Sequence, residues 1–201
     1  YALLEVFGNS SLNDLCTALN TACQTNQYKY IENSTANQGM ACFIYNSNTV
    51  IPFKELQKNR LADNGYLPDR KIAQAFDLKA NNERFIVCLN HWKAKDNSYN
   101  KPDEYADTGD GQGSHVLRRV HEAEATLEFI KTVTAYFEDE DVLVVGDLNS
   151  YSKEDPIRVL EEGKLINELQ KYAPNEYSYA FFSNNSYATG YLDHSCLLYT
   201  S

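Results

Sequence analysis

Residues 2–6 form a short apolar run, and from 10 to 26 the side chains Leu12, Leu15, Leu19 and Ala22 recur at helical spacing. The pattern predicts a strand and then an amphipathic helix, with Ser10 or Ser11 as its cap. Apolar stretches at 40–45 and 49–53 are parted by Asn46-Ser47-Asn48, which predicts two strands joined in a hairpin. Stretches 72–78 and 84–89, parted by Ala80-Asn81-Asn82-Glu83, predict a second hairpin. Residues 96–113 are Asp, Asn, Gly, Tyr and Pro with almost no aliphatic side chain, a long loop of the kind that often carries function. Val116, Val120, Ala123, Leu127, Ile130 and Phe137 then fall at helical intervals, predicting one long helix laid on a sheet. Residues 141–146 are a continuous Val/Leu run, expected at the sheet centre with both faces buried. A short helix opened by Asp155-Pro156 covers 154–162, and 177–182 and 191–198 supply the last two strands. There is no repeat or linker, so residues 1–201 read as a single α/β domain.

Composition narrows the function. With 43% hydrophobic and 23% charged residues the chain is an ordinary globular one. Its formal charge of −10 excludes a basic, tract-binding nucleic-acid protein, and a polyanion would need a local basic patch or a bound cation. The longest apolar runs, 85–89 and 142–145, fall far short of the roughly 18–20 residues that cross a bilayer, so no membrane span is expected. Five cysteines lack Cys-X-X-Cys spacing, which argues against zinc. Cys16 and Cys23 on one helix would lie about 10 Å apart along its axis, too far for a disulfide, and buried free thiols are expected. The chain opens in mid-strand without Met or a leader pattern, as a fragment or processed product would.

Four clusters carry chemistry. Gly146-Asp147-Leu148-Asn149 ends an apolar strand and sets a carboxylate and an amide two residues apart, pointing the same way. Ligand sites collect at such strand ends, although Asp147 capping its own turn is an equal reading. Asn90-His91-Trp92-Lys93-Ala94-Lys95 follows a second apolar strand, and a donor imidazole beside two ammonium groups suits a phosphate oxygen. A structural histidine is the competing account. In Tyr191-Leu192-Asp193-His194 the two ionisable residues alternate across a strand, so only one faces a shared site, and Asp193 is preferred. Glu5 is a lone carboxylate among Leu3, Leu4, Val6 and Phe7, which reads either as a ligand to a hard cation or as an edge residue facing water.

These residues, in order, bear a resemblance. Leu4-Glu5-Val6-Phe7-Gly8-Asn9, Cys42-Phe43-Ile44-Tyr45, Asn90-His91-Trp92-Lys93-Ala94-Lys95, Gly109-Asp110-Gly111-Gln112-Gly113, Arg119-Val120, Gly146-Asp147-Leu148-Asn149-Ser150 and Tyr191-Leu192-Asp193-His194 resemble the endonuclease/exonuclease/phosphatase family, the deoxyribonuclease I-like hydrolases, and within it the secreted bacterial endonucleases. The resemblance implies a two-sheet α/β sandwich, incomplete at both termini, with strand ends meeting at a metal site that hydrolyses phosphoesters. Glu5 matches the family's metal-binding glutamate, for Mg2+ with Mn2+ or Ca2+ as alternatives. His91 matches the donor to a phosphoryl oxygen, Asp147 the aspartate beside the attacking water and Asn149 its companion. Asp193 matches the acid that orients a further histidine, and His194 is a second candidate for that histidine. Arg70, Lys93, Lys95 and Arg119 are the candidate substrate-binding cations.

The family pattern also has an Asn on a strand before Glu5 and a Ser-Asp-His near the C-terminus, both outside residues 1–201, so this stretch by itself is expected to be inactive. Gly39 and Phe7 stand where some members carry further acidic residues, leaving the metal count open. The leading expectation is a secreted or cell-envelope, monomeric, metal-dependent nuclease acting on nucleic acid. Triplets at Asn9, Asn33 and Asn184 are compatible with export. The alternatives are a phosphatase or phospholipase acting on inositol phosphates or sphingomyelin, and a non-catalytic binding module of the same fold.

Overall fold

The computed structural model describes residues 1–33, 39–61, 67–96, 106–183 and 186–198. Strand β1 (Ala2–Val6), helix α1 (Gly8–Ala22) and strands β2 (Tyr28–Ile31) and β3 (Met40–Asn46) open the chain. The three strands make an antiparallel sheet in the order β1-β3-β2. Strands β4 (Val50–Lys58), β5 (Lys71–Leu78) and β6 (Arg84–His91) follow, then helix α2 (Val116–Phe137), β7 (Val142–Asp147) and helix α3 (Asp155–Glu162). Strand β8 (Leu165–Asn167), helix α4 (Glu168–Tyr172), the hairpin β9 (Tyr179–Ser183) with β10 (Ser186–Gly190), and β11 (Asp193–Leu198) complete it. The second sheet has six strands in the order β4-β5-β6-β7-β11-β8. The parallel pair β6 with β7 is the one that α2 connects, as a crossover requires.

Period-2 alternation sorts side chains into layers. On β5 and β6, Ala73, Ala75, Ile86 and Cys88 face α2 and α3 and pack with Phe129, Ile130, Val133, Phe137 and Ile157. Their neighbours Ile72, Phe76, Val87 and Leu89 face the small sheet and meet Ala41 and Phe43. The outer face of the small sheet, Met40, Cys42 and Ile44, is covered by Leu12 and Cys16 of α1. The result is an α/β sandwich of two sheets between outer helices.

Several expectations change. Segments 40–45 and 49–53 are strands but not a hairpin: β3 and β4 lie in different sheets, and the turn at Asn46–Thr49 carries the chain across. An apolar run with a polar turn specifies two strands; it does not say whether they pair. Helix α1 starts earlier than expected, after Phe7, with no side-chain cap, and the Ser11 hydroxyl donates back to the Phe7 carbonyl at 3.0 Å. On β7 only Val142 and Val144 are fully buried, while Leu143 and Val145 on the other face are partly open. Cys16, Cys42, Cys88 and Cys196 are buried free thiols, but Cys23 is exposed. Of the long loop, 97–105 lies outside the described residues, as does Asn184; 106–113 is irregular. Strands β2, β8 and β10 and helix α4 are too short to carry a period.

Candidate functional site

Strands β6 and β7 run parallel and end side by side, with His91 opposite Asp147. Strand β11 runs antiparallel to β7 and begins at that same end, with Asp193 opposite Asp147. The backbones crowd together here: Gly146 has φ +127°, and a Cβ on it would sit 2.0 Å from the Asn90 carbonyl oxygen. Glycine is thus required before Asp147. From the other sheet, β1 brings Glu5, held at a bulge with φ +57°.

Two carboxylates, from β1 and β7, approach the His91 imidazole. His91 Nε2 lies 3.7 Å from Glu5 Oε1 and 3.8 Å from Asp147 Oδ2. The Asn149 N–H donates to Asp147 Oδ1 at 2.9 Å, and the Asn149 amide donates to the Trp92 carbonyl at 3.0 Å, tying the two strand ends together. Burial, with Asp193 and Glu5 nearby, raises the Asp147 carboxyl to about 6 despite the Asn149 hydrogen bond. Burial first, then the Arg70 charge, lowers His91, which therefore presents a neutral ring at pH 7. Glu5 itself is 70% exposed.

The donor chemistry suits a hard divalent cation. Glu5, Asp147, Asn149 and Asp193 offer oxygen ligands, and Asp147 is raised first by burial and then by the Asp193 and Glu5 charges, the last of which a cation would offset. Among the described residues no group of three or more His, Cys, Asp or Glu side chains is placed so as to hold a metal ion by itself.

The remaining candidates divide. Arg70 and Lys93 line a polar depression of about 260 Å3 with Glu5 and His91. Lys95 lines an adjoining one of about 420 Å3 with Asp147, Asn149 and Asp193, but its ammonium is ion-paired to Glu154 and sits over the Tyr151 ring. Arg119 is fully enclosed and cannot reach a substrate. It donates to Ser150 Oγ and to the carbonyls of Ser114, Gln112 and Lys93, and so braces the loops that carry the site. His194 is likewise buried on the opposite face of β11, its Nε2 2.7 Å from the Ser150 carbonyl and its Nδ1 beside Asn167. It cannot act with Asp147.

Sequence reasoning missed Lys71, Glu122 and Arg118. Lys71 Nζ and Glu122 Oε1 form a 2.8 Å ion pair with both side chains 2% exposed, and Glu122 Oε2 accepts from the Lys93 N–H at 2.9 Å. A signal was present: Arg119, Glu122 and Thr126 continue the buried stripe of α2 at helical spacing. A larger depression, of about 620 Å3, lies between α2 and the β8 edge, away from these groups.

No protein-family model and no curated protein matches the chain by sequence. Solved structures do match in shape. An endonuclease/exonuclease/phosphatase family protein from Bacteroides thetaiotaomicron superposes with a TM-score of 0.64 at 16% identity, over 95% of this chain and 66% of that one. The mannosyl-6-phosphatase of the same organism gives 0.64 at 17% identity, over 98% and 70%. TDP2 of D. rerio, complexed with single-strand DNA product, gives 0.61 at 11% identity, over 98% and 69%. The chain thus spans about two thirds of the length of these neighbours. Its two sheets and their helices have the fold of the endonuclease/exonuclease/phosphatase proteins.

Proposed function

We propose that the protein is a divalent-metal-dependent hydrolase of phosphodiester bonds in nucleic acid. The reading rests on one observation above all: Glu5 and Asp147, from strands in two different sheets, lie within 4 Å of the Nε2 of His91 on a third strand, with Asp193 directly across from Asp147. The neighbour complexed with DNA product supports the substrate class.

Each group has a task. Neutral His91 donates Nε2–H to a non-bridging phosphoryl oxygen as charge grows there. Asp147, fixed by the Asn149 N–H and raised to about 6, is ionised above that pH and accepts a proton from the attacking water. Asn149, held by Trp92, keeps that carboxylate aimed. Glu5, with Asp193 or Asp147, would hold the cation, which when bound supplies Lewis acidity toward the phosphoryl oxygen.

The test is nicking of supercoiled plasmid in Mg2+. The intact protein nicks, residues 1–201 alone do not, and Asp147→Asn and His91→Ala in the intact protein each lose about 10²–10⁴-fold. Phosphate released from a sugar phosphate while plasmid stays intact would instead assign a phosphomonoesterase, the activity that the mannosyl-6-phosphatase neighbour's name carries.

A further inference from the structure

The chain is tied down residue by residue as it leaves β7. The Asp147 carbonyl accepts from the Trp92 N–H at 2.9 Å, the Leu148 N–H donates to the Leu192 carbonyl at 2.9 Å, and Asn149 holds both Asp147 and Trp92. Ser150, with no exposed surface, is gripped at two ends. Its hydroxyl accepts from Arg119 Nε of α2 at 3.1 Å, and its carbonyl accepts from His194 Nε2 of β11 at 2.7 Å. A carbonyl only accepts, so Nε2 carries a ring proton. The Asn167 side chain is oriented by α4, which it caps: its oxygen accepts from the Gln170 N–H at 3.2 Å, so its nitrogen is the atom turned toward His194 Nδ1, 3.4 Å away. Nδ1 is then the acceptor, and the neutral ring has a partner on each nitrogen. Arg119, Asn167 and His194 are each 5% exposed or less.

We infer that Arg119, His194 and Asn167 are positioning residues for Asp147, acting through Ser150. The inference rests on the phosphodiesterase reading and deepens it. Asn149, between the clamped serine and the carboxylate, has φ +50°, a left-handed conformation that is uncommon outside glycine and persists where the surroundings over-determine it. Ser150 supplies that constraint: with it fixed on two sides, Asn149 keeps the turn that aims its N–H at Asp147 Oδ1 and its amide at the Trp92 carbonyl. Released, Asn149 rotates toward an unstrained φ, and the peptide that carries its N–H rotates with it. Packing alone does not require such an arrangement. Polar side chains from α2, β8 and β11 are costly to bury unless each is satisfied, and apolar ones would fill the same volume. Their common target is the residue next to the one that holds the carboxylate.

The test uses the intact protein with Ser150→Ala, His194→Phe and His194→Gln, the last of which keeps a donor for the Ser150 carbonyl. Two quantities are read: exchange of the Asn149 amide proton by NMR in EDTA, and kcat and KM for plasmid nicking in Mg2+. Ser150→Ala and His194→Phe each speed Asn149 exchange about tenfold relative to Val144 within β7, the equivalent of one charge-assisted hydrogen bond. In the same two variants kcat falls about 10–10²-fold at unchanged KM, as displacement of a base by about an ångström requires. His194→Gln restores most of both. Equal acceleration of Asn149 and Val144 would make the clamp a packing feature and overturn the inference, as would an unchanged kcat in both variants. Absence of nicking by the unsubstituted protein removes the phosphodiesterase reading instead, and Asn149 exchange then still decides whether the clamp orients Asp147.

Discussion

The Lys71–Glu122 pair gives the sharpest test of the architecture beneath the site. Both side chains are 2% exposed and their charges are 2.8 Å apart. Taking either charge away leaves the other in the interior, which costs about 3–5 kcal/mol. Lys71→Met strands a carboxylate; Glu122→Gln strands an ammonium. The double variant K71M/E122Q holds no charge, and its amide oxygen still accepts from the Lys93 N–H, the contact that Glu122 Oε2 makes at 2.9 Å. Only imperfect satisfaction of that amide remains, worth about 1–3 kcal/mol. The double variant is therefore more stable than either single one, and the coupling amounts to several kcal/mol. Urea unfolding followed by tryptophan fluorescence measures it. With a slope of about 2 kcal/mol per molar, each single variant loses about 2 M of midpoint. Single costs under about 1 kcal/mol would make the pair an ordinary surface one. An additive double variant would mean that the two charges do not meet, and the packing of α2 on β5 would have to be redrawn.

Gly146→Ala forces a Cβ to within 2.0 Å of the Asn90 carbonyl oxygen and a strained φ, so it loses about 3 kcal/mol or more in the same assay. Mg2+ at about 100 times its Kd stabilises the protein by about 2.7 kcal/mol, read as a rise in melting temperature that Glu5→Gln removes; a rise equal in the variant refutes Glu5 as a ligand. Burial lowers His194 in the folded state, against the Ser150 carbonyl and Asp193 that raise it, so the unfolded chain binds the proton more readily. Stability is thus full above the ordinary histidine value and declines as the pH falls through about 6.5. Asp147, raised to about 6, works in the opposite sense below that pH, so the signature is the difference in slope between the protein and His194→Gln between about pH 8 and pH 6. Identical slopes would place His194 in water.

What the sequence makes legible follows the length of each pattern. The α2 stripe and the apolar runs of β6 and β7 are long, and the residues just past them, His91 and Asp147, are found with them, because a polar group after a buried strand is costly unless something meets it. Alternation also separates Asp193 from His194 correctly, since adjacent residues on β11 face opposite ways. Sheet membership is not legible: β3 and β4 look like a hairpin because pairing depends on partners far along the chain. Arg119 is misread as a substrate cation because a guanidinium satisfied by Ser150 and three carbonyls has the same letter as one facing a ligand. Arg118, its neighbour, lines the polar depression beside Glu5 and His91 instead, one position around the helix.

Glu5 hangs from one sheet, whereas His91, Asp147 and Asp193 hang from the other. Between them lies an oily seam of Ala41, Phe43, Ile72, Phe76, Val87 and Leu89, crossed by a few hydrogen bonds from loops and strand ends, such as Asn33 to the Asp69 carbonyl at 2.9 Å, Lys58 to the Asn33 carbonyl at 3.0 Å and Arg70 to the Gly39 carbonyl at 3.1 Å. A slip of an ångström or two along that seam breaks no ladder, yet it parts the glutamate from the imidazole. Gentle warming or pressure should therefore silence the protein well before far-ultraviolet dichroism reports any unfolding.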